Sequence, residues 1–84
     1  MMPWYTFTPI LPSCDPQDPT NYTLLGDTPP ESSESKLFVA AIQAEDHAGL
    51  PHIDMMLRME ISNALELEID TINVRLDDSN KCAN

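Results

Sequence analysis

His47 and His52 flank a loop in "EDHAGLPHID", with Asp46 and Asp54 beside them. Imidazoles and carboxylates are the side chains a zinc ion takes, but zinc needs Cys or His in closer clusters than these. The pair reads instead as two loop histidines, with His52 placed to help order the start of the helix that follows. "DPQDPTN" offers the oxygen ligands Asp15, Asp18 and Asn21. It lacks the D-x-[DN]-x-[DN]-G spacing of a calcium loop, and Asp-Pro pairs are turn formers first. Asn21 opens "NYT", a glycosylation sequon that carries meaning only in an exported chain. Cys14 and Cys82 lie near opposite ends and are expected as reduced thiols, being otherwise the only possible intrachain bridge. There is no nucleophile–base pair, Gly-rich phosphate loop or CxxC motif. The sequence therefore assigns no catalytic residue, metal or cofactor, and the chain is expected not to be an enzyme.

These residues hang on a frame with two textures. Residues 1–35 hold seven of the eight prolines and the turn-rich stretches "DPQDPTN" and "GDTPPESSES". "WYTFT" (Trp4 to Thr8) alternates and is aromatic, which suits a short strand. Pro3 and Pro9 bracket it, and proline confines strands to edges or to short lengths. "NYTLL" (Asn21 to Leu25) is a second strand candidate, joined to the first by a rigid proline-containing loop. Residues 36–78 form the expected core, and residues 79–84 a tail. "KLFVAAIQA" (Lys36 to Ala44) is a nearly continuous apolar run, as in a strand buried on both faces. Gly49 and Pro51 break the chain after it. The segment from about Asp54 to Ile69 predicts a helix, with Asp54 as N-cap. "TINVRL" (Thr71 to Leu76) alternates, setting Ile72, Val74 and Leu76 on one face of a final strand. Strand, helix and strand with short connections predict a βαβ unit, parallel in its default form. An antiparallel arrangement is open if an N-terminal strand intervenes. The expected fold is a small two-layer α+β or α/β domain of three or four short strands packed with one helix.

The helix is apolar on two sides. Stepping 100 degrees per residue groups Leu57, Ile61, Ala64 and Leu65 on one face, the set that should pack on the sheet. Met55, Met56, Met59 and Leu67 form a second group on the far side. Alternation along the central strand puts Phe38, Ala40, Ile42 and Ala44 on one face and Leu37, Val39 and Ala41 on the other. One helix covers one face of a sheet, and Trp4, Tyr5, Phe7 and Tyr22 could wrap the other. They are not expected to cover the Met side as well. Contiguous exposed apolar surface marks interfaces, and methionine adapts its shape to partners. The expected interface residues are Met55, Met56, Met59, Leu67, Leu37 and Val39. Glu66, Glu68 and Asp70 crowd the helix C-terminus, where the macrodipole favours cations. They predict either a solvated acidic end or a cation nearby, from Arg75 or from another subunit.

Four Lys and Arg against fourteen Asp and Glu give a net charge of −10. Such a chain cannot build a phosphate-tracking stripe or bind an anionic bilayer surface. Neither a signal-like N-terminus nor an 18-residue apolar span is present, so the cytoplasm is the default location. "PWYTFTP", "DPTNYTLLG", "AAIQAED" and "ISNALELEIDTINVRL" together resemble short uncharacterised bacterial proteins of similar length. These open with an aromatic strand, carry an Asn-Tyr-Thr-Leu turn and an Ala-Ile-Gln-Ala strand, and end in Thr-x-Asn-Val. In that group a cysteine often precedes the Ala-Ile-Gln-Ala. Here Ala40 or Ala41 holds the position, so no cysteine chemistry carries over, and the resemblance implies no activity. The leading expectation is a structural or self-assembling protein that forms homo-oligomers. The alternative is a small acidic inhibitor that mimics nucleic acid and binds a basic protein.

Overall fold

Aromatic and β-branched residues on a pleated, half-buried surface favour strands, and they build the sheet here. The computed structural model describes residues 2–10, 13–31, 34–79 and 81. Its strands are β1 (Trp4–Phe7), β2 (Tyr22–Gly26), β3 (Phe38–Gln43), β4 (Asp46–His47), β5 (Leu50–Pro51) and β6 (Val74–Asp77), with one α-helix, α1 (Met55–Leu67), and a 3₁₀ turn at Pro19–Asn21. A four-stranded sheet runs β2-β1-β3-β6, and β4 and β5 form a separate hairpin. All pairings are antiparallel. The architecture is a small α+β domain with the helix packed on one face of the sheet.

The parallel βαβ default is thus corrected. β3 and β6 are direct neighbours and antiparallel, because the helix and the loop after it return the chain to the end of β3 that it left. The Gln43 N–H donates to the Asn73 carbonyl there, at 2.8 Å. The loop expected at "EDHAGLP" closes as the β4–β5 hairpin. Its turn residues Ala48 and Gly49 both take positive φ (55° and 87°), which suits the right-handed twist of paired strands.

The core gathers Tyr5, Phe7, Tyr22, Val39, Ile42, Ala44, Ile53, Leu57, Ile61, Ala64, Val74 and Leu76. The rings of Phe7 and Tyr22 meet at 5.2 Å, tilted by 53°. Three of the four N-terminal aromatics therefore join the helix side of the sheet rather than wrapping its far face. Trp4 is buried outside that cluster, and the Arg75 guanidinium lies 4.8 Å from its ring centre. Ala41 pairs with both Thr6 and Arg75.

Two sheet assignments fail for local reasons. The β3–β6 register shifts between Val39 and Ala41, and a bulge adds a residue that breaks period-two alternation. Val39 and Ile42 consequently both enter the core. Val39 is 3% exposed and offers no surface to a partner, so it leaves the expected interface. Ile72 is 82% exposed, because β6 begins only at Val74 and Ile72 sits in the preceding bend.

Cys14 is disulfide-bonded, which corrects the expectation of a reduced thiol. The chain's other cysteine, Cys82, lies outside the described residues, as does most of the 79–84 tail. The reduced-thiol expectation had assumed a reducing compartment. No helix among the described residues is long and apolar enough to cross a membrane.

Candidate interaction face

The helix begins where Asp54, in extended conformation, accepts the Leu57 N–H at 2.9 Å. That bond satisfies a donor that has no partner within the helix. Leu57, Ile61 and Ala64 are buried and Leu65 packs partly against the core. This is the predicted inner stripe. On the opposite side Met55, Met56 and Met59 are 76, 79 and 60% exposed.

Polar anchors bound the methionine face on both flanks. On one side Gln17 reaches over from the 13–20 loop. Its Nε2 donates to the Arg58 carbonyl at 3.3 Å and to Ser62 Oγ at 3.0 Å. On the other side Glu60 holds the segment before β6. It accepts from the Thr71 hydroxyl, the Asn73 N–H at 2.7 Å and Asn73 Nδ2 at 3.1 Å. The chain therefore covers both flanks of the helix and leaves the three methionines bare between them. Beside Met56 opens a cleft of about 430 Å³, lined in part by Gln43, His52, Asp54, Leu57 and Glu60.

The remaining expected interface residues lie apart from that cluster. Leu67 is exposed at the last turn of the helix, about 16 Å along the axis from Met56 at 1.5 Å per residue. Leu37 is also exposed, just before β3, with its N–H held by the Asp77 carbonyl at 3.0 Å.

The acidic helix end finds its cation within the chain. Lys36 Nζ lies 2.9 Å from Asp70 Oδ2, while Glu66 and Glu68 stay exposed. Burial pushes the Asp70 carboxyl upward. The Leu76 N–H, the Lys36 ammonium and the Arg75 charge outweigh it and hold the group below its usual value. Arg75, the expected nearby cation, adds only its charge to the hold on Asp70. It faces Trp4 and donates to the Thr71 and Val74 carbonyls.

The other chemistry-bearing residues serve local structure. His47 and His52 stack with ring centres 4.5 Å apart, and the Tyr5 hydroxyl donates to Asp46 beside them. Burial first, then that carboxylate, pushes the Tyr5 phenol far above its ordinary value. His52 does not cap the helix. Its N–H donates to the Glu45 carbonyl, at 2.8 Å. Asp15 accepts the Gln17 N–H, and Asp18 accepts the N–H and hydroxyl of Thr20. Both are turn builders. Among the described residues no group of three or more His, Cys, Asp or Glu is arranged to hold a metal ion.

Asn21 is wholly buried. Its Oδ1 accepts the Ile10 N–H, and its Nδ2 donates to Ser13 Oγ and to the Asp15 carbonyl, all at 3.0–3.1 Å. It clasps Ile10, Ser13 and Asp15 together, and an amide so enclosed cannot carry a glycan in the folded chain. Sequence reasoning missed this clasp and the roles of Gln17 and Glu60.

No protein-family model matches the chain, and neither a curated protein nor a solved structure matches it. The resemblance to short bacterial proteins rests on the sequence motifs alone.

Proposed function

We propose that this chain is a small non-catalytic structural protein that associates with copies of itself through the exposed face of α1. The observation that carries the reading is the bare set of Met55, Met56 and Met59 on a helix whose two flanks the chain has already tied down. Burying one such side chain contributes about 1.5–3 kcal/mol. Three of them, supplied by each of two copies, contribute on the order of 9–18 kcal/mol. Association costs roughly 4–15 kcal/mol in lost freedom and ordering, so the expected affinity is modest.

The charge balance shapes the test. Two copies at −10 each repel, and salt screens exposed charges beyond about 10 Å at 0.1 M. Sedimentation velocity from micromolar to millimolar protein should show association that strengthens with added salt. Met59→Lys should weaken it without unfolding the monomer. Association that dissolves steadily with salt would mean ion pairs hold the copies together, against this reading.

The acidic-mimic alternative needs a row of free carboxylates along one face. Asp15, Asp18, Asp46, Asp54, Glu60, Asp70 and Asp77 instead accept hydrogen bonds within the chain. That is seven of the fourteen acids, and it favours self-association over mimicry.

A further inference from the structure

The two edges of the sheet are treated differently. In an antiparallel ladder, successive residues point their N–H and C=O alternately toward and away from the neighbouring strand. The Gln43–Asn73 bond makes Val74 and Leu76 the residues of β6 whose backbone points away from β3. Both are sealed. The Val74 carbonyl accepts the Thr71 N–H at 3.0 Å, and the Leu76 N–H donates to Asp70 Oδ1 at 2.8 Å. Arg75 adds a donor to the Val74 carbonyl. The chain covers this edge with its own 70–71 segment.

The same alternation fixes the outward groups of β2. The Thr8 N–H donates to the Asn21 carbonyl at 2.7 Å, and the pairs Phe7–Tyr22, Thr6–Thr23 and Tyr5–Leu24 follow in register. Thr23 therefore bonds toward β1, while Tyr22 and Leu24 point their backbone away from the sheet. β2 has β1 as its sole neighbour in the sheet, and β5 (Leu50–Pro51) of the small hairpin packs against it without pairing to it. The register shifts between Trp4 and Tyr5, so that Leu25 is an extra residue between the partners of those two, and Leu24 and Leu25 are 52 and 47% exposed. Edges are guarded by lysine, proline, an inward charge or a bulge. The stretch Tyr22–Gly26 contains no lysine, proline or charge, and its bulge lies at the Gly26 end, which leaves Tyr22–Leu24 regular.

We infer that β2 is a strand-addition edge whose occupant is β2 of a second copy. The two strands run antiparallel about a two-fold axis at Leu24 and join two four-stranded sheets into one. Charge selects this occupant and this register. The chain is strongly acidic, yet residues 21–26 are uncharged, so two copies can meet here without burying a carboxylate. The nearest acid, Asp27, lies three residues from the axis, beyond the bulge at Leu25. The two Asp27 groups sit at opposite ends of the seam, about 20 Å apart at 3.4 Å per residue. That exceeds the screening length of about 10 Å at 0.1 M salt. A two-fold pairing of this kind is self-complementary and closes on itself. The inference rests on the self-association reading but uses a surface distinct from the methionine face.

Amide hydrogen exchange of the full-length protein, read by NMR at low and high concentration alongside sedimentation, tests the edge. The Thr23 amide, bonded within the chain, should exchange slowly at both concentrations. The Leu24 amide should exchange freely in dilute protein and slow by about tenfold or more as dimer forms. Leu24→Lys should remove the concentration dependence while leaving Thr23 protected, whereas Met59→Lys should not remove it. Self-association with no change at Leu24 would overturn the edge pairing and leave the methionine face standing. A Leu24 amide already slow in dilute monomer would overturn it too, since the edge would then be covered within the chain. A protein monomeric up to millimolar concentration would sink both readings.

Discussion

Truncating one residue on each face of α1 separates what folds the chain from what the chain presents. Ile61 is wholly buried and touches the sheet core, while Met59, two residues earlier, is mostly exposed. Ile61→Ala removes three carbons from a close-packed site, and large-to-small changes of this kind cost about 2–5 kcal/mol. A chain of this length has a total stability of roughly 4–12 kcal/mol at ordinary per-residue values, so Ile61→Ala should consume a large share of it. One kcal/mol shifts the midpoint of so small a domain by about 4–8 °C, which sets the expected loss at about 10 °C or more. Met59→Ala touches no core and should stay within about 0.5 kcal/mol of the parent. The assay is urea unfolding at low micromolar protein, followed through the single tryptophan, Trp4, whose burial beside Arg75 makes its emission report the fold. If Met59→Ala costs as much as Ile61→Ala where the parent sediments as a monomer, the methionine side is packed within the chain. The face described here would then not exist.

Three further outcomes follow from particular contacts. Asp70 sits below its ordinary value of 3.8 in the folded chain, so the unfolded state binds that proton more tightly. Its stabilisation is present above about pH 4 and is lost as pH falls through the folded value, and Asp70→Asn should flatten the acid limb of a stability–pH curve measured by denaturant midpoints. Asn21→Asp replaces two amide donors with lone pairs facing Ser13 Oγ and the Asp15 carbonyl; this buried mismatch should cost about 1–3 kcal/mol at neutral pH and speed proteolysis in the 8–20 loop. Glu68 closes the helix in the left-handed region at φ 56°, where glycine is unstrained, so Glu68→Gly should raise stability by about 0.5–1 kcal/mol in thermal melts, helped by removing an acid from the negative end of the helix.

What was legible in the sequence follows from the range of the interactions involved. The inner stripe of α1, its Asp54 cap and its bare methionines are set by 3.6-residue periodicity and local chemistry, and all three stand in the structure. β1 and β2 were visible as short aromatic runs between breakers, since Trp4, Tyr5, Phe7 and Tyr22 have few other ways to be buried in so short a chain. Alternation misled where the backbone departed from a regular strand. The bulge between Val39 and Ala41 moved Val39 inward, and the bend before Val74 left Ile72 in solvent. Neither has a sequence mark, because alanine and isoleucine sit as readily in a regular strand. Strand direction was also hidden, since it depends on where the loop after the helix goes. Glu60 determines that by holding Thr71 and Asn73, residues 11 and 13 positions away. The polar ties that bound the candidate face are of the same kind: Gln17 bonds across 41 and 45 positions to Arg58 and Ser62. Periodicity can tell which side of a helix is apolar. Whether that side is left open depends on whether a distant polar residue crosses it, and here Gln17 and Glu60 stop at its margins.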